Sequence, residues 1–298
     1  MRLITFLQNK QQRIGVLTED DQTVVDLVKA DRTLPNDMNA LIAAGAGVLK
    51  QAARAVKNAG PRAKFPRKKV KLLAPIPKPI RNVMCVGKNY YDHAHEFDDS
   101  GFNAAKSGAA IPKYPIIFTK MPESVIGPGA KIPAHLDYSK STDYEVELGV
   151  IIGKKGRKIP KGKAFDHVFG YTIINDVTAR EIQRIHNQWF LGKSLDGYCP
   201  MGPYIATKDE VGDIKKLQIQ THVNGELRQN AYVKGMIFDV PTLIKTLSAG
   251  MMLLPGDVIA TGTCTGIGGG FNPPKFLRKG DTVTLSIDKL GVLKNKVS

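Results

Sequence analysis

Alternation of apolar and polar positions dominates the middle of the chain. Residues 143–153 read Asp-Tyr-Glu-Val-Glu-Leu-Gly-Val-Ile-Ile-Gly. As a strand, this puts Tyr144, Val146, Leu148, Val150 and Ile152 on one face and Asp143, Glu145 and Glu147 on the other. Similar patterns predict strands at residues 81–86, 116–119, 168–175, 217–223, 258–261 and 282–287. Upstream, residues 2–7, 13–17 and 23–27 predict short strands. Residues 36–58, rich in Ala and Leu at helical spacing, predict a helix weakened in its middle by Gly45 and Gly47. Gly60-Pro61, Pro66 and the run Ala74-Pro-Ile-Pro-Lys-Pro79 remove ladder donors and favour extended chain, which predicts a linker. The organisation expected is a small N-terminal α/β domain with its linker over residues 1–73 and a larger β-rich domain over 74–298. Strands and helices do not alternate as a doubly wound parallel sheet requires.

Composition narrows the class. The chain has 298 residues, 42% of them hydrophobic, enough for a sizeable core and too many for general disorder. Its longest apolar runs, such as 83–86 and 148–152, fall far short of the ~20 residues of a membrane span. The first residues lack a signal-peptide core, and three scattered cysteines argue against a disulfide framework; both predict a reducing, cytoplasmic setting. The 43 Lys and Arg outnumber 27 Asp and Glu, for a formal charge of +16. Basic residues cluster at 50–81, inside a gap without acids from Asp37 to Asp92, and again at 154–163. These clusters suit either a polyanion surface or a solvated face. Aromatic residues are sparse in both, which disfavours nucleic acid.

The acidic strand carries the main chemical signal. Glu145 and Glu147 lie roughly 7 Å apart along one strand face, a costly arrangement unless a hard divalent cation neutralises it or the edge is solvent-exposed. Asp176 follows the strand at 168–175 and can complete a metal site or serve as an ordinary turn residue. Thr178 with Glu181 reads as a capping box, predicting a helix directly after Asp176 with Arg180, Gln183 and Asn187 on one face. If the chain turns helical after Tyr91, His93 and Glu96 become i,i+3 neighbours. Such a pair is either a surface feature or a general base with a fixed tautomer. Residues 262–270 form a Gly-rich loop that lets backbone amides approach an anion, although it matches neither a Walker A loop nor a dinucleotide fingerprint.

In combination these segments resemble the fumarylacetoacetate hydrolase superfamily, in its two-domain branch of 2-hydroxyhepta-2,4-diene-1,7-dioate isomerase-like and acylpyruvase-like proteins. The matching pieces are Gly87-Lys-Asn-Tyr with His93 and Glu96, and Phe118-Thr-Lys120 with Ser124 and Gly127-Pro-Gly129. They continue with Glu145-Val-Glu147, Asn175-Asp-Val-Thr-Ala-Arg180, Gly192-Lys-Ser194, Thr261-Gly-Thr263 and Pro273-Pro-Lys-Phe-Leu-Arg-Lys-Gly-Asp281. The resemblance implies an α+β, β-rich fold of rolled mixed sheets, in a homodimer. It implies Mg²⁺ or Mn²⁺ on Glu145, Glu147 and Asp176, a His93–Glu96 dyad that activates water, Lys193 beside the metal, and Arg180, Gln183 and Thr263 on the substrate. Cys264 stands where relatives commonly have Pro, and residues 97–114 correspond to a lid. The expected substrate is a small 2-keto acid. The leading expectation is hydrolysis of a C–C bond in a 2,4-diketo acid, with a divalent cation supplying Lewis acidity toward a pyruvate enolate. Isomerisation or decarboxylation of a 2-oxo or 2-hydroxydienoic acid, or of oxaloacetate, in aromatic catabolism is the first alternative. A basic polyanion-binding protein without catalysis is the second.

Overall fold

The computed structural model of the chain describes residues 1–102 and 111–298. A large mixed sheet runs through the molecule. From edge to edge its strands are Lys64–Pro66, Thr23–Asp26, Gln11–Leu17, Arg2–Gln8, Cys199–Thr207, Val168–Asn175, Val146–Ile152, Val258–Thr263, Val83–Gly87 and Ile116–Lys120. A five-stranded sheet (Glu226–Tyr232, Gln218–Val223, Thr282–Ile287, Gly291–Val297, Lys131–Ile132) packs on one face of it. The alternation read from the sequence sorts the layers. Val146, Leu148, Val150 and Ile152 enter the core between the sheets with Ile219, Val283, Leu285 and Leu293. Ile151 and its neighbours Ile174, Ile205 and Cys85 enter a second core, closed by Leu41, Ile42, Val48 and Ala52 of two helices. The fold is thus helix layer, large sheet, small sheet, the β-rich α+β arrangement expected.

The predicted helix over 36–58 is two helices, Met38–Ala43 and Ala46–Lys57, separated where Gly45 adopts φ +80°. Asp37 caps the first by accepting from the Ala40 N–H at 2.9 Å. The proline-rich stretch at 60–80 is tied down rather than free. Lys64–Pro66 pairs with Thr23–Asp26, and Lys71–Leu72 pairs with Arg2–Gln8. Pro66 sits on an edge strand, where a missing N–H is tolerated. The N-terminal strands also continue the main sheet, because Arg2 lies opposite Ala206 and Leu3 opposite Ile205.

One central strand, Cys199–Thr207, escaped the sequence reading. Its Pro200-Met-Gly-Pro203 reads as turn, yet the sheet absorbs it through a register shift against Val168–Asn175. Among the described residues no helix is long and apolar enough to cross a membrane.

Candidate metal and proton-transfer site

The site forms where several strands of the large sheet end together. Val146–Ile152 starts at the site, placing Glu147 at its second position and Glu145 just before it. Val168–Asn175 runs antiparallel and delivers Asp176 beside them, with the Asp176 N–H donating to the Glu145 carbonyl at 2.9 Å. One carboxylate oxygen each from Glu145, Glu147 and Asp176 lies within 4.8 Å of the others, and all three residues are buried. This donor set suits a hard divalent cation, which takes oxygen ligands.

Three buried cations partly balance the cluster. Lys193 Nζ donates to Glu145 Oε2 and to Asp176 Oδ2, both at 2.8 Å. Lys120 Nζ donates to Asp176 Oδ1 at 2.7 Å and to the Val177 carbonyl at 2.9 Å. Arg180 Nη2 lies 2.6 Å from Glu145 Oε1, while its Nε donates to Asp143 Oδ2 at 2.8 Å. Among the described residues no ion pair reaches Glu147; its carboxylate accepts the Gly262 N–H at 2.8 Å. The electrostatics follow. Burial pushes the Glu147 carboxyl well up, and Asp176 and Glu145 push it further. Burial also works to raise Glu145, but Lys193 and Arg180 overcome it and hold that carboxyl down at about 2. Burial would lower the Lys193 ammonium, yet Asp176 and Glu145 leave it raised and firmly charged. Glu147 is the carboxylate that still lacks a counter-charge, so an added cation fits here on charge as well as on geometry.

The sequence-predicted pair is present. The helix Tyr91–Asp99 sets His93 Nδ1 3.0 Å from Glu96 Oε2. The anions met by the Gly-rich loop are the protein's own. Gly266 N–H donates to Glu96 Oε1 at 2.7 Å, and Gly268 and Gly269 N–H donate to Asp143 at 2.6 and 2.9 Å. Gly266 holds φ +99° and its Cα faces the Arg228 carbonyl, so close that a Cβ would stand 1.9 Å from that oxygen; only glycine serves there.

A chamber collects most of the predicted residues. His93, Glu145, Glu147, Arg180, Gln183, Lys193 and Thr263 line it, with Phe97, Phe118 and Trp189 as an aromatic wall. Glu96 and Asp176 stand behind this lining, against His93 and Lys193. Thr263 Oγ1 donates to the Val146 carbonyl and accepts from Gln229 Nε2, so its hydroxyl is already engaged. Free space is about 20 Å³, room for one water-sized species. A ligand larger than this needs part of the lining to move. Of the lid expected over residues 97–114, residues 103–110 lie outside the described residues.

Sequence reasoning named two residues without finding their roles. Asp143 is not the third carboxylate of one strand face: Thr142–Asp143 pairs with Thr178–Ala179, and its carboxylate braces Arg180 and the glycine loop instead. Lys120 carries no local signal of its contact with Asp176. The expected capping box is also absent. Thr178 Oγ1 donates to the Asp176 carbonyl, and the helix Arg180–Ile185 starts later, its Glu181 N–H donating to Ser141 Oγ at 3.0 Å. The helix ends before Asn187, which has φ +58°.

A buried carboxylate cluster on rolled mixed sheets, with a His–Glu pair beside it, defines an enzyme of the fumarylacetoacetate hydrolase superfamily. Residues 82–298 match the fumarylacetoacetate (FAA) hydrolase C-terminal family, to which the chain belongs. It is 46% identical over 290 residues to the oxaloacetate tautomerase YisK of Bacillus subtilis (strain 168), covering 93% of this chain and 94% of that protein. Among solved structures, a fumarylacetoacetate hydrolase from psychrophilic Exiguobacterium antarcticum superposes with a TM-score of 0.83 at 41% identity, covering 100% of this chain and 99% of that one. A maleylpyruvate hydrolase from Sphingobium sp. SYK-6, in complex with manganese(II) and pyruvate, gives 0.78 at 30% identity, covering 100% and 98%.

Proposed function

We propose that the chain is a divalent-cation-dependent enzyme that moves a proton at the carbon beside the keto group of a small 2-oxo dicarboxylate of the oxaloacetate type, interconverting its keto and enol forms. The observation that carries this reading is the His93 imidazole, which lines the carboxylate chamber with its Nδ1 engaged by Glu96. With Nδ1 occupied, Nε2 is the nitrogen left to take up and return a proton. The Bacillus relative, named for oxaloacetate tautomerisation, supports the substrate class. Mg²⁺ or Mn²⁺ held by Glu145, Glu147 and Asp176 would supply Lewis acidity toward the keto oxygen. Arg180 and Lys193 bring fixed positive charge to the chamber wall and orient the acid's carboxylate. Gln183 adds an amide, and Phe97, Phe118 and Trp189 limit access of water.

Hydrolysis of a C–C bond in an acylpyruvate is the second reading. It is favoured by the rigid fixing of Glu96 from the glycine loop, which suits a base that must activate water. Assembly as a homodimer remains part of the proposal, supported by the exposed Ile185, Phe190 and Leu191 on the two short helices beside the site. The test follows enol absorbance of oxaloacetate and loss of diketone absorbance of an acylpyruvate, each with and without Mg²⁺ or Mn²⁺. Cation-dependent enol–keto equilibration well above the buffer rate is expected; no acceleration of either reaction would remove both readings.

The glycine loop gives a sharper expectation. A Cβ on Gly270 would stand 2.4 Å from Glu96 Oε1. The side-chain end can yield where backbone could not, so Gly270→Ala should push the Glu96 carboxylate off His93 without unfolding the chain. A misplacement of about 1 Å can cost ~10²-fold in rate. Turnover should fall by that order while the melting temperature changes little; unchanged turnover would disconnect Glu96 from the reaction.

A further inference from the structure

Most of the chain's basic residues lie outside the carboxylate chamber, and one concave basic patch lies outside both basic clusters of the sequence. That patch is a cavity of about 540 Å³ lined in part by Thr142, from the short strand Thr142–Asp143. Lys131, His135, Lys140, Arg278 and Lys279 line it, and no Asp or Glu side chain does. Among the described residues none of these Lys or Arg side chains is in an ion pair. Four permanent positive charges around one small volume are a like-charge arrangement that an anion relieves.

The cavity is built from segments far apart in sequence and locked by backbone bonds. Lys131 sits opposite Lys296 in the parallel pairing of Lys131–Ile132 with Gly291–Val297. Leu277 N–H donates to the Thr142 carbonyl at 2.8 Å, joining the 277–279 wall to the floor. Arg278 Nη1 donates to the Lys140 carbonyl at 2.6 Å, and the Arg278 backbone N–H donates to Asp281 Oδ2 at 2.7 Å. The guanidinium is therefore held in place while most of its donors stay available for an oxyanion. The volume falls within the range of small-molecule pockets. No aromatic residue lines it, so it lacks the stacking surface that single-stranded nucleic acid uses.

We propose that this cavity is a second ligand site, distinct from the carboxylate chamber, for a small multiply charged oxyanion: an oligophosphate or a tricarboxylate. Calorimetric titration and thermal melting of the full chain, without added divalent cation, test it with sodium tripolyphosphate, citrate and sulfate. One equivalent of tripolyphosphate or citrate should bind and raise the melting temperature, and sulfate should bind far more weakly; whichever of the two binds tighter identifies the source. Arg278→Ala/Lys279→Ala should weaken binding by about tenfold or more. Lys131→Ala, at an exposed side chain outside any ion pair, provides a second variant in which folding is not in question. Lys50→Ala/Arg54→Ala, which removes equal charge from the helix Ala46–Lys57, should bind as the wild type does, and so should Glu147→Gln. Equal weakening in the Lys50/Arg54 variant, loss of binding in Glu147→Gln, several equivalents bound, or tighter binding of a short single-stranded oligonucleotide than of tripolyphosphate or citrate would each overturn the assignment.

Discussion

Glu147→Gln is expected to abolish cation-dependent turnover while leaving the fold as stable as before, or more so. Glu145 and Asp176 each hold two buried cations, so removing either would confound loss of function with loss of fold. Glu147 is different. Its carboxyl is pushed up by burial and by its acidic neighbours, and its hydrogen bond from Gly262 N–H can be accepted equally by an amide oxygen. A carboxyl whose folded-state pKa lies above its unfolded value costs stability once the pH exceeds the unfolded value, and costs nothing below it. The gain in Glu147→Gln should therefore be present at neutral pH in a chelating buffer and vanish toward pH ~4. Loss of a Lewis acid worth several kcal/mol predicts a rate at least ~10²–10³-fold lower. Urea unfolding at both pH values and turnover at fixed Mg²⁺ check the two halves. A variant that stays active, or one that melts several degrees lower at pH 7, would remove Glu147 from the ligand set.

His93→Ala separates the reactions open to this chamber. Proton transfer beside the keto group and attack by water both need a base, and removal of a general base typically costs ~10²–10⁴-fold. Loss of CO₂ from oxaloacetate needs no base at that position. Enol–keto equilibration and acylpyruvate hydrolysis should fall by that factor in His93→Ala, and oxaloacetate decarboxylation should fall much less. The three rates, measured with one preparation at one Mg²⁺ concentration, decide it. Equal losses in all three would mean that His93 shapes the chamber rather than moves a proton.

The parts of the site that were legible in the sequence are those set by local periodicity. The two-residue spacing of Glu145 and Glu147 and the i,i+3 spacing of His93 and Glu96 are backbone geometry, and both survive folding. Val168–Asn175 has the bounds its pattern predicts. What failed depends on partners distant in sequence. The alternation rule assigned Asp143 to the face of Glu145, but the regular strand begins only at Val146, and Glu145 N–H donates to the Asn175 side-chain Oδ1 instead of to a backbone carbonyl of the neighbouring strand. The capping box failed because Ser141, from another segment, supplies the cap. Lys120 reaches Asp176 across 56 positions, and no window of sequence contains both.

The pairing of Arg2–Gln8 with Cys199–Thr207 bears on how the chain comes off the ribosome. The N-terminal hairpin can form early from neighbouring residues, and Lys71–Leu72 can close the Phe6–Leu7 end of its inner edge, but the Arg2–Leu3 end stays open until some 200 further residues have been made, because Arg2 waits for Ala206. Contacts at that separation carry a large loop-closure cost and slow folding. Throughout that interval Leu3 and its neighbours present unpaired backbone to solvent, the kind of edge that recruits other strands. Nascent chains stalled before residue 199 should therefore depend on holding factors that chains stalled beyond residue 207 no longer need.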